Sequence, residues 1–169
     1  FTKYSCAGAP IPPVIVERAY RVMGLRISSA WGMTEMGAVT ITEPSRALEK
    51  TPCSDGRPLA GVELKVVGAD GKSLATGKSG DLLVRAPSLF AGYLKRPQLN
   101  GVDAEGWFDT GDIAFIDDEG YLRISGRSKD VVIRGGENIP VVEVENLLYK
   151  HPAISLAAVV GYPDRRFGE

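Results

Sequence analysis

The spacing of apolar residues predicts a helix followed by a strand near the start of the chain. Four apolar residues recur at helical spacing between Pro12-Pro13 and Gly24, which predicts a helix that begins at the prolines and ends at the glycine. Residues 25–28 are predicted to form a short strand that leads into a turn at residues 31–32. We therefore expect residues 1–50 to be the end of an α/β domain.

From about Thr51 the pattern becomes one of short strands. Apolar and charged residues alternate at 62–66, which is typical of a half-buried strand. Further strands are predicted at residues 82–84, 113–116 and 121–124, the last two forming a hairpin. Because several short strands are separated by frequent turns, residues 51–126 are predicted to form a small distorted β-barrel, although a sandwich would give the same pattern.

A third region begins near Gly126. Residues 131–133 and 138–139 predict a hairpin, Pro140 predicts the start of a helix, and residues 154–160 predict a strand. The overall fold class is therefore α+β. Residues 127–130 are predicted to be a hinge, and residues 131–169 the truncated start of a small α+β domain.

Composition narrows the classes of function. Apolar residues make up 44% of the 169 residues and charged residues 24%, with a net charge of −1, as in a soluble globular protein without a nucleic-acid footprint. No apolar run is long enough for a membrane span. Cys6 and Cys53 suggest no metal or disulfide framework, so a reduced, cytoplasmic setting is expected. The single histidine, His151, makes a histidine-based zinc site or a Ser-His triad improbable, and we interpret it as a solvated residue at a helix end.

Three glycine-rich polar clusters occupy residues 107–112, 126–130 and 134–140. A packed core does not need so many Gly, Asp and Arg residues, whereas a site for a polar ligand or a moving joint does. Taken alone, each cluster has a simpler interpretation: a turn in which Asp caps its own backbone, a solvated linker, or a hairpin that needs glycines.

Upstream of these clusters, residues 31–35 have the sequence Trp-Gly-Met-Thr-Glu. The flat ring of Trp31 can stack on a purine, and Gly32 allows close backbone approach. Thr34 can donate a hydrogen bond to a phosphate oxygen, and Glu35 offers a hard oxygen to Mg²⁺. On these residues alone an ordinary loop is the better interpretation.

Taken in order, these motifs resemble those of the acyl-adenylate-forming enzymes, and among them the acyl-CoA synthetases. Trp31 stands where these enzymes usually have Tyr. The Gly-Gly-Glu-Asn-Ile-Pro sequence that begins at Gly135 resembles the synthetase version more than that of peptide synthetase adenylation domains. The resemblance implies that residues 1–126 end a large adenylation domain. It also implies a reaction in which ATP and Mg²⁺ activate a carboxylic acid as acyl-AMP, which then passes to coenzyme A.

The resemblance also implies roles for individual residues. Thr34 and Glu35 would be catalytic, with Glu35 as the Mg²⁺ ligand, and Asp112 would bind the ribose hydroxyls. Arg127 would contact ribose or phosphate, and Lys129 would be the hinge. The remaining residues implied to bind nucleotide, acid or coenzyme A are Gly8, Ala9, Pro10, Ser29, Ala30, Trp31, Gly32, Met33, Ile124, Gly135, Gly136 and Glu137.

The same resemblance shows what to expect of the chain's extent. It opens at Phe1 and closes at Glu169, with no counterpart of the family's triphosphate-binding loop or of its C-terminal catalytic lysine. We therefore expect a piece of a longer enzyme that is inactive by itself. Transfer of the acyl group to a carrier protein or to oxygen stays open, as do a non-catalytic binding module and a homodimer, and no nucleic-acid partner is expected.

Overall fold

The computed structural model describes residues 3–9, 11–135 and 137–168. Two residues with predicted binding roles, Pro10 and Gly136, lie outside these ranges. The described chain contains two four-stranded sheets, a two-stranded hairpin and three short α-helices.

The first sheet has the strand order β1-β2-β3-β4. Strands β1 and β2 are parallel, and the other neighbouring pairs are antiparallel. The parallel pair is joined by helix α1, which begins after Pro12 and ends at Gly24 in the left-handed conformation, as predicted. The elements are β1 (Lys3–Cys6), α1 (Pro13–Met23), β2 (Arg26–Met33), β3 (Gly37–Ile41), α2 (Ala47–Lys50) and β4 (Arg57–Pro58).

The turn predicted at residues 31–32 is wrong, because β2 continues to Met33 and the chain turns at residues 34–36. A bulge between Trp31 and Gly32 keeps the strand paired with β3. Gly32 makes this pairing possible, since a Cβ atom there would lie 2.0 Å from the carbonyl oxygen of Gly37. The glycine in this motif therefore serves a close strand contact rather than a turn.

The second sheet is an open antiparallel meander in the order β5-β6-β7-β8. The predicted barrel is wrong, because each strand pairs with its neighbour in the sequence and the edge strands β5 and β8 do not pair with each other. Residues 109–112, for which a turn was the simpler interpretation, lie inside β7. The strands are β5 (Glu63–Val67), β6 (Gly80–Arg85), β7 (Phe108–Ile116) and β8 (Leu122–Arg127), with a 3-10 turn at Pro97–Leu99.

The main hydrophobic core joins the two sheets. Val39 on β3 and Met36 in the turn before it pack against buried residues of the second sheet. Those residues are Val66, Leu82, Val84, Phe108, Ala114 and Leu122. The core thereby fixes the position of β2 relative to β7 and β8, on which the site depends.

The last elements are a hairpin and a helix: β9 (Val131–Arg134), β10 (Glu137–Pro140) and α3 (Val141–Leu148). The hairpin and a helix after Pro140 were predicted correctly. The strand predicted at residues 154–160 is wrong. Within the described residues this segment pairs with no strand. Its backbone is hydrogen-bonded to side chains instead: Val159 N–H donates to Oε1 of Glu145 in α3 (2.9 Å), and the hydroxyl of Tyr149, the residue after α3, donates to Ala157 O (2.9 Å).

A search of the described residues for a helix long and apolar enough to cross a bilayer finds none.

Candidate functional site

A cleft of about 370 Å³ opens where the two sheets meet the turn after β8 and helix α3. Its walls combine small residues, which expose backbone, with a concentration of charged side chains. Eight lining residues were predicted from the sequence: Gly8, Ala9, Ala30, Trp31, Gly32, Asp112, Ile124 and Arg127. Five were not: Asp55, Ser125, Gly126, Asp130 and Val142.

The carboxylate of Asp112 is the most constrained charged group in the cleft. Asp112 lies on β7 opposite Arg127 on β8, and only 4% of the residue is exposed. Arg127 Nε lies 3.2 Å from one carboxylate oxygen, Oδ1, and the indole Nε1 of Trp31 donates to the other, Oδ2, at 3.1 Å. Two partners from different strands therefore fix the orientation of this carboxylate.

The electrostatic balance at Asp112 raises the pKa of its carboxyl above the ordinary value. Burial raises the pKa of the Asp112 carboxyl, and the nearby Asp55 adds to this, whereas Arg127 and the Trp31 hydrogen bond lower it. The guanidinium of Arg127 is 65% exposed, so water weakens its attraction. A ligand that brings hydroxyl donors to this carboxylate replaces hydration that burial has already removed.

The indole of Trp31 has a fixed orientation that the sequence did not reveal. The sequence indicated only that Trp31 offers a flat ring for stacking where the resembled enzymes usually have Tyr. The structure shows that the indole N–H takes up a bond of its own, to Asp112. The backbone N–H of Trp31 also donates to Thr40 Oγ1 at 3.2 Å, so both ends of the residue are held.

Asp55 is a second carboxylate in the cleft, and sequence reasoning missed it. Its backbone N–H donates to Leu122 O (2.7 Å), its carbonyl accepts from the Thr40 hydroxyl (2.6 Å), and its Oδ2 accepts from Ile124 N–H (2.8 Å). Burial raises the pKa of Asp55, opposed by the Ile124 hydrogen bond and by Arg123. The only local signal was an Asp before Gly56, which is also what an ordinary turn contains.

Thr34 and Glu35 are not among the residues that line the cleft. Thr34 is exposed in the turn after β2. Glu35 is half-buried, its carboxylate accepts a hydrogen bond from the Tyr93 hydroxyl, and its carbonyl accepts from Phe90 N–H at 2.7 Å. This bond to Glu35 raises the pKa of Tyr93. The predicted metal ligand is therefore already oriented by a phenol.

Two other predicted residues of this strand serve the interior. The buried hydroxyl of Ser29 lies 2.6 Å from that of Thr42, and Met33 packs against the core. Within the described ranges no three His, Cys, Asp or Glu side chains converge in a group that could hold a metal ion. A cation here would depend on Glu35 together with oxygens of a ligand.

The predicted residues after β8 lie outside the cleft lining. Lys129 is exposed in the turn between β8 and β9. Gly135 has φ +61° at the tip of the β9–β10 hairpin, where its N–H donates to Phe167 O at 2.8 Å, and Glu137 is exposed on β10. Asp130 and Val142, which were not predicted, are the residues through which this part of the chain reaches the cleft.

Comparisons of the chain with known proteins agree on one family. Residues 2–94 match the sequence model described as AMP-binding enzyme. The chain is 39% identical over 168 residues to the medium-chain fatty-acid–CoA ligase of Escherichia coli K12, covering 98% of this chain and 30% of that protein. It is 38% identical over 166 residues to a feruloyl-CoA synthase of an Amycolatopsis species, covering 97% of this chain and 33% of that protein.

Among solved structures, the fold matches o-succinylbenzoate CoA synthetase from Bacillus subtilis in complex with its acyl-adenylate intermediate. The TM-score is 0.87 at 33% identity, covering 98% of this chain and 34% of the synthetase. The chain thus spans about a third of the length of the proteins that it matches. It belongs to the AMP-binding enzyme family, within the acyl-adenylate-forming superfamily, and its relatives there are of the acyl-CoA ligase type.

Proposed function

We propose that this chain is the part of an ATP-dependent acyl-CoA synthetase that holds the nucleotide. The reaction forms an acyl-adenylate and pyrophosphate from a carboxylic acid and ATP. The thiol of coenzyme A then attacks the acyl carbon and releases AMP. The observation that carries this proposal is the buried carboxylate of Asp112, held by Trp31 and Arg127 in one cleft of a chain related to CoA ligases.

The chemistry of the cleft suits an adenylate. Both oxygens of Asp112 keep lone pairs that can accept from the adjacent hydroxyls of a ribose, which is how acidic residues hold ribose in dinucleotide-binding folds. The planar guanidinium of Arg127 suits ribose or phosphate oxygens. The ring of Trp31 offers a face for the purine, and its bond to Asp112 holds that face in place.

Glu35 fits the requirements of a Mg²⁺ ligand. Mg²⁺ in nucleotide sites takes one or two carboxylates from the protein and its other ligands from phosphates and water. When bound, the ion offsets negative charge on the phosphates. Tyr93 holds the Glu35 carboxylate by its hydroxyl, and Thr34 beside it would donate to a phosphate oxygen.

In this proposal, the chain after β8 rotates between the two half-reactions. Lys129 lies in an exposed turn of three residues between β8 and β9, and a few residues at the end of a strand can absorb a change of dihedral angles. Its neighbour Ser128 donates two hydrogen bonds to Gly111 O, at 2.9 and 3.1 Å. Rotation there would exchange the surface presented to the cleft and bring Gly135 and Gly136 towards the acceptor thiol. Gly8 and Ala9 would line the acyl end of the cleft.

Measuring AMP binding by calorimetry tests this function. We expect the wild-type chain to bind AMP and Asp112→Asn to bind it at least about 10-fold more weakly, since a charged acceptor is worth about 1.5–3 kcal/mol. Asp109→Asn is the matched control, because Asp109 lies on the same strand but is exposed and outside the cleft lining. No AMP binding, or equal effects of the two substitutions, would overturn the assignment.

The pH dependence of binding provides a second readout. Because the pKa of Asp112 is raised, its carboxylate gains a proton at a higher pH than an ordinary Asp as the pH falls. Ribose recognition requires the ionised form, so wild-type affinity should decrease between pH 7 and pH 4. Asp112→Asn has no proton to gain at this position, so its binding should be weak and should change less with pH than that of the wild type, because titration of the AMP phosphate and of Asp55 affects both proteins.

A further inference from the structure

We infer that Asp55 reads the 6-amino group of the adenine base and so makes the cleft select ATP over 6-oxo purine nucleotides. This inference rests on the proposed function, since it requires a nucleotide in the cleft. It assigns a specificity-determining role to a residue that the motifs of the sequence did not indicate.

The first observation is that Asp55 is held rigidly while one of its carboxylate oxygens stays available. Its backbone N–H and C=O are both bonded, and Oδ2 accepts from Ile124 N–H at 2.8 Å. Among the residues that the structure describes, none donates a hydrogen bond to Oδ1. Only 17% of the side chain is exposed, so the open acceptor belongs to a group that the fold positions in the cleft wall.

The second observation is that Asp55 is coupled to the stacking residue through a single hydroxyl. Thr40 Oγ1 accepts from Trp31 N–H at 3.2 Å and donates to Asp55 O at 2.6 Å, and Thr40 is fully buried. These bonds join the backbones of Trp31 and Asp55, and each side chain is oriented by a bond of its own, the indole by Asp112 and the carboxylate by Ile124 N–H. A base that stacks on the Trp31 ring would then present its edge to Asp55.

The third observation is the spacing of the two carboxylates. Asp112 lies opposite Arg127, and Asp55 bonds Ile124, three residues earlier on the same strand. Three residues of a strand span about 10 Å, which is comparable to the distance between the ribose hydroxyls and the 6-amino group of adenosine. With ribose at Asp112, the far end of the base reaches Asp55.

The carboxylate of Asp55 distinguishes adenine from 6-oxo purines by hydrogen bonding. The adenine 6-amino group donates to a carboxylate, whereas the 6-oxo group of hypoxanthine or guanine presents a second acceptor to it. A site whose buried acceptor requires a donor rejects an analogue that lacks one. The other lining groups nearby, the backbone of Ala30 and Gly32 and the side chain of Ile124, make no comparable distinction by charge.

Calorimetry with three nucleotides tests this inference: AMP, purine riboside 5′-monophosphate, which lacks the 6-amino group, and IMP, which has a 6-oxo group. We expect the wild-type chain to bind AMP about 10-fold more tightly than the purine riboside monophosphate, as for a hydrogen bond to a charged group, and IMP more weakly still. Equal binding of AMP and the purine riboside monophosphate would overturn the role of Asp55 and leave the proposed function intact. Absence of AMP binding would overturn the proposed function itself.

The Asp55→Asn variant tests the inference through a change of nucleotide preference, which a loss of folding would not produce. The amide oxygen can still accept from Ile124 N–H, and the amide nitrogen then faces the cleft as a donor. This variant should lose the preference for AMP and gain affinity for IMP, which a merely structural role would not produce. An unchanged ranking of the three nucleotides, or a switch produced by Asp130→Asn in place of Asp55→Asn, would contradict the assignment.

Discussion

Replacing Trp31 with Phe isolates the hydrogen bond between the indole and Asp112. The substitution keeps an aromatic face over the cleft and removes the N–H that donates to Asp112 Oδ2 at 3.1 Å. Asp112 then retains Arg127 as its only charged partner on the opposite strand. The carboxylate stays buried, so the lost donor is not fully replaced by water.

The expected magnitude follows from the burial of the two partners. A hydrogen bond to a charged group contributes about 1.5–3 kcal/mol. Asp112 is 4% exposed, whereas the side chain of Arg127 is 65% exposed and its attraction is screened. We therefore expect the free energy of unfolding to fall by about 2 kcal/mol. The pKa of Asp112 should rise further, because the removed bond stabilises the charged form.

Urea unfolding of a double-mutant cycle measures the effect. The cycle combines Trp31→Phe with Asp112→Asn, and groups in direct contact are expected to give a coupling of about 1–2 kcal/mol. Trp107→Phe is the control for loss of ring area, since Lys65 and Arg85 lie over that ring and it is outside the cleft lining. Additive effects of Trp31→Phe and Asp112→Asn would refute the coupling and with it the positioning role of the indole.

Three further predictions test the fold and the proposed hinge. Gly32→Ala should lower the free energy of unfolding, measured with urea, by about 1–3 kcal/mol or more, because the added Cβ would lie 2.0 Å from a backbone atom. Gly126→Ala is the control and should be tolerated, because the nearest atom there would lie 3.9 Å from the added Cβ. Lys50→Met should lower the urea midpoint more than Lys72→Met, because Lys50 is buried beside Glu119 and over the Tyr121 ring while Lys72 is 84% exposed; equal shifts would contradict this. Lys129→Pro should slow thioester formation and spare adenylation in stopped-flow assays of the complete enzyme, and equal loss of both steps would remove the hinge.

Local sequence was sufficient for elements whose cause is local. Helix α1 begins at Pro12-Pro13 and ends at Gly24, because proline suits the first turn and glycine the left-handed cap. The β7–β8 hairpin follows from two largely apolar segments on either side of a polar turn. The motifs also indicated Asp112 and Arg127, which the structure brings together in one cleft.

The misinterpreted segments depend on distant partners. Residues 109–112 contain the polar residues of a turn, yet the hydroxyl of Thr110 is buried against Leu82 O at 2.8 Å and the segment continues β7. Asp55 lies in the cleft because its carboxylate accepts a hydrogen bond from Ile124 N–H on β8, 69 residues later in the chain. The predicted strand at 154–160 has the right apolar pattern but no neighbour within the described chain to complete its hydrogen bonds.

The walls of the cleft come from segments on both sides of the short turn after Arg127. Trp31 and Asp112 belong to the paired sheets, whereas Val142 belongs to the helix after the hairpin. In the proposed rotation about the turn, Val142 would move relative to Trp31 and Asp112, and the cavity would change shape. An occupant that contacts both walls would then favour one angle of the turn, so a distance probe placed across the turn would register ligand binding without touching the ligand.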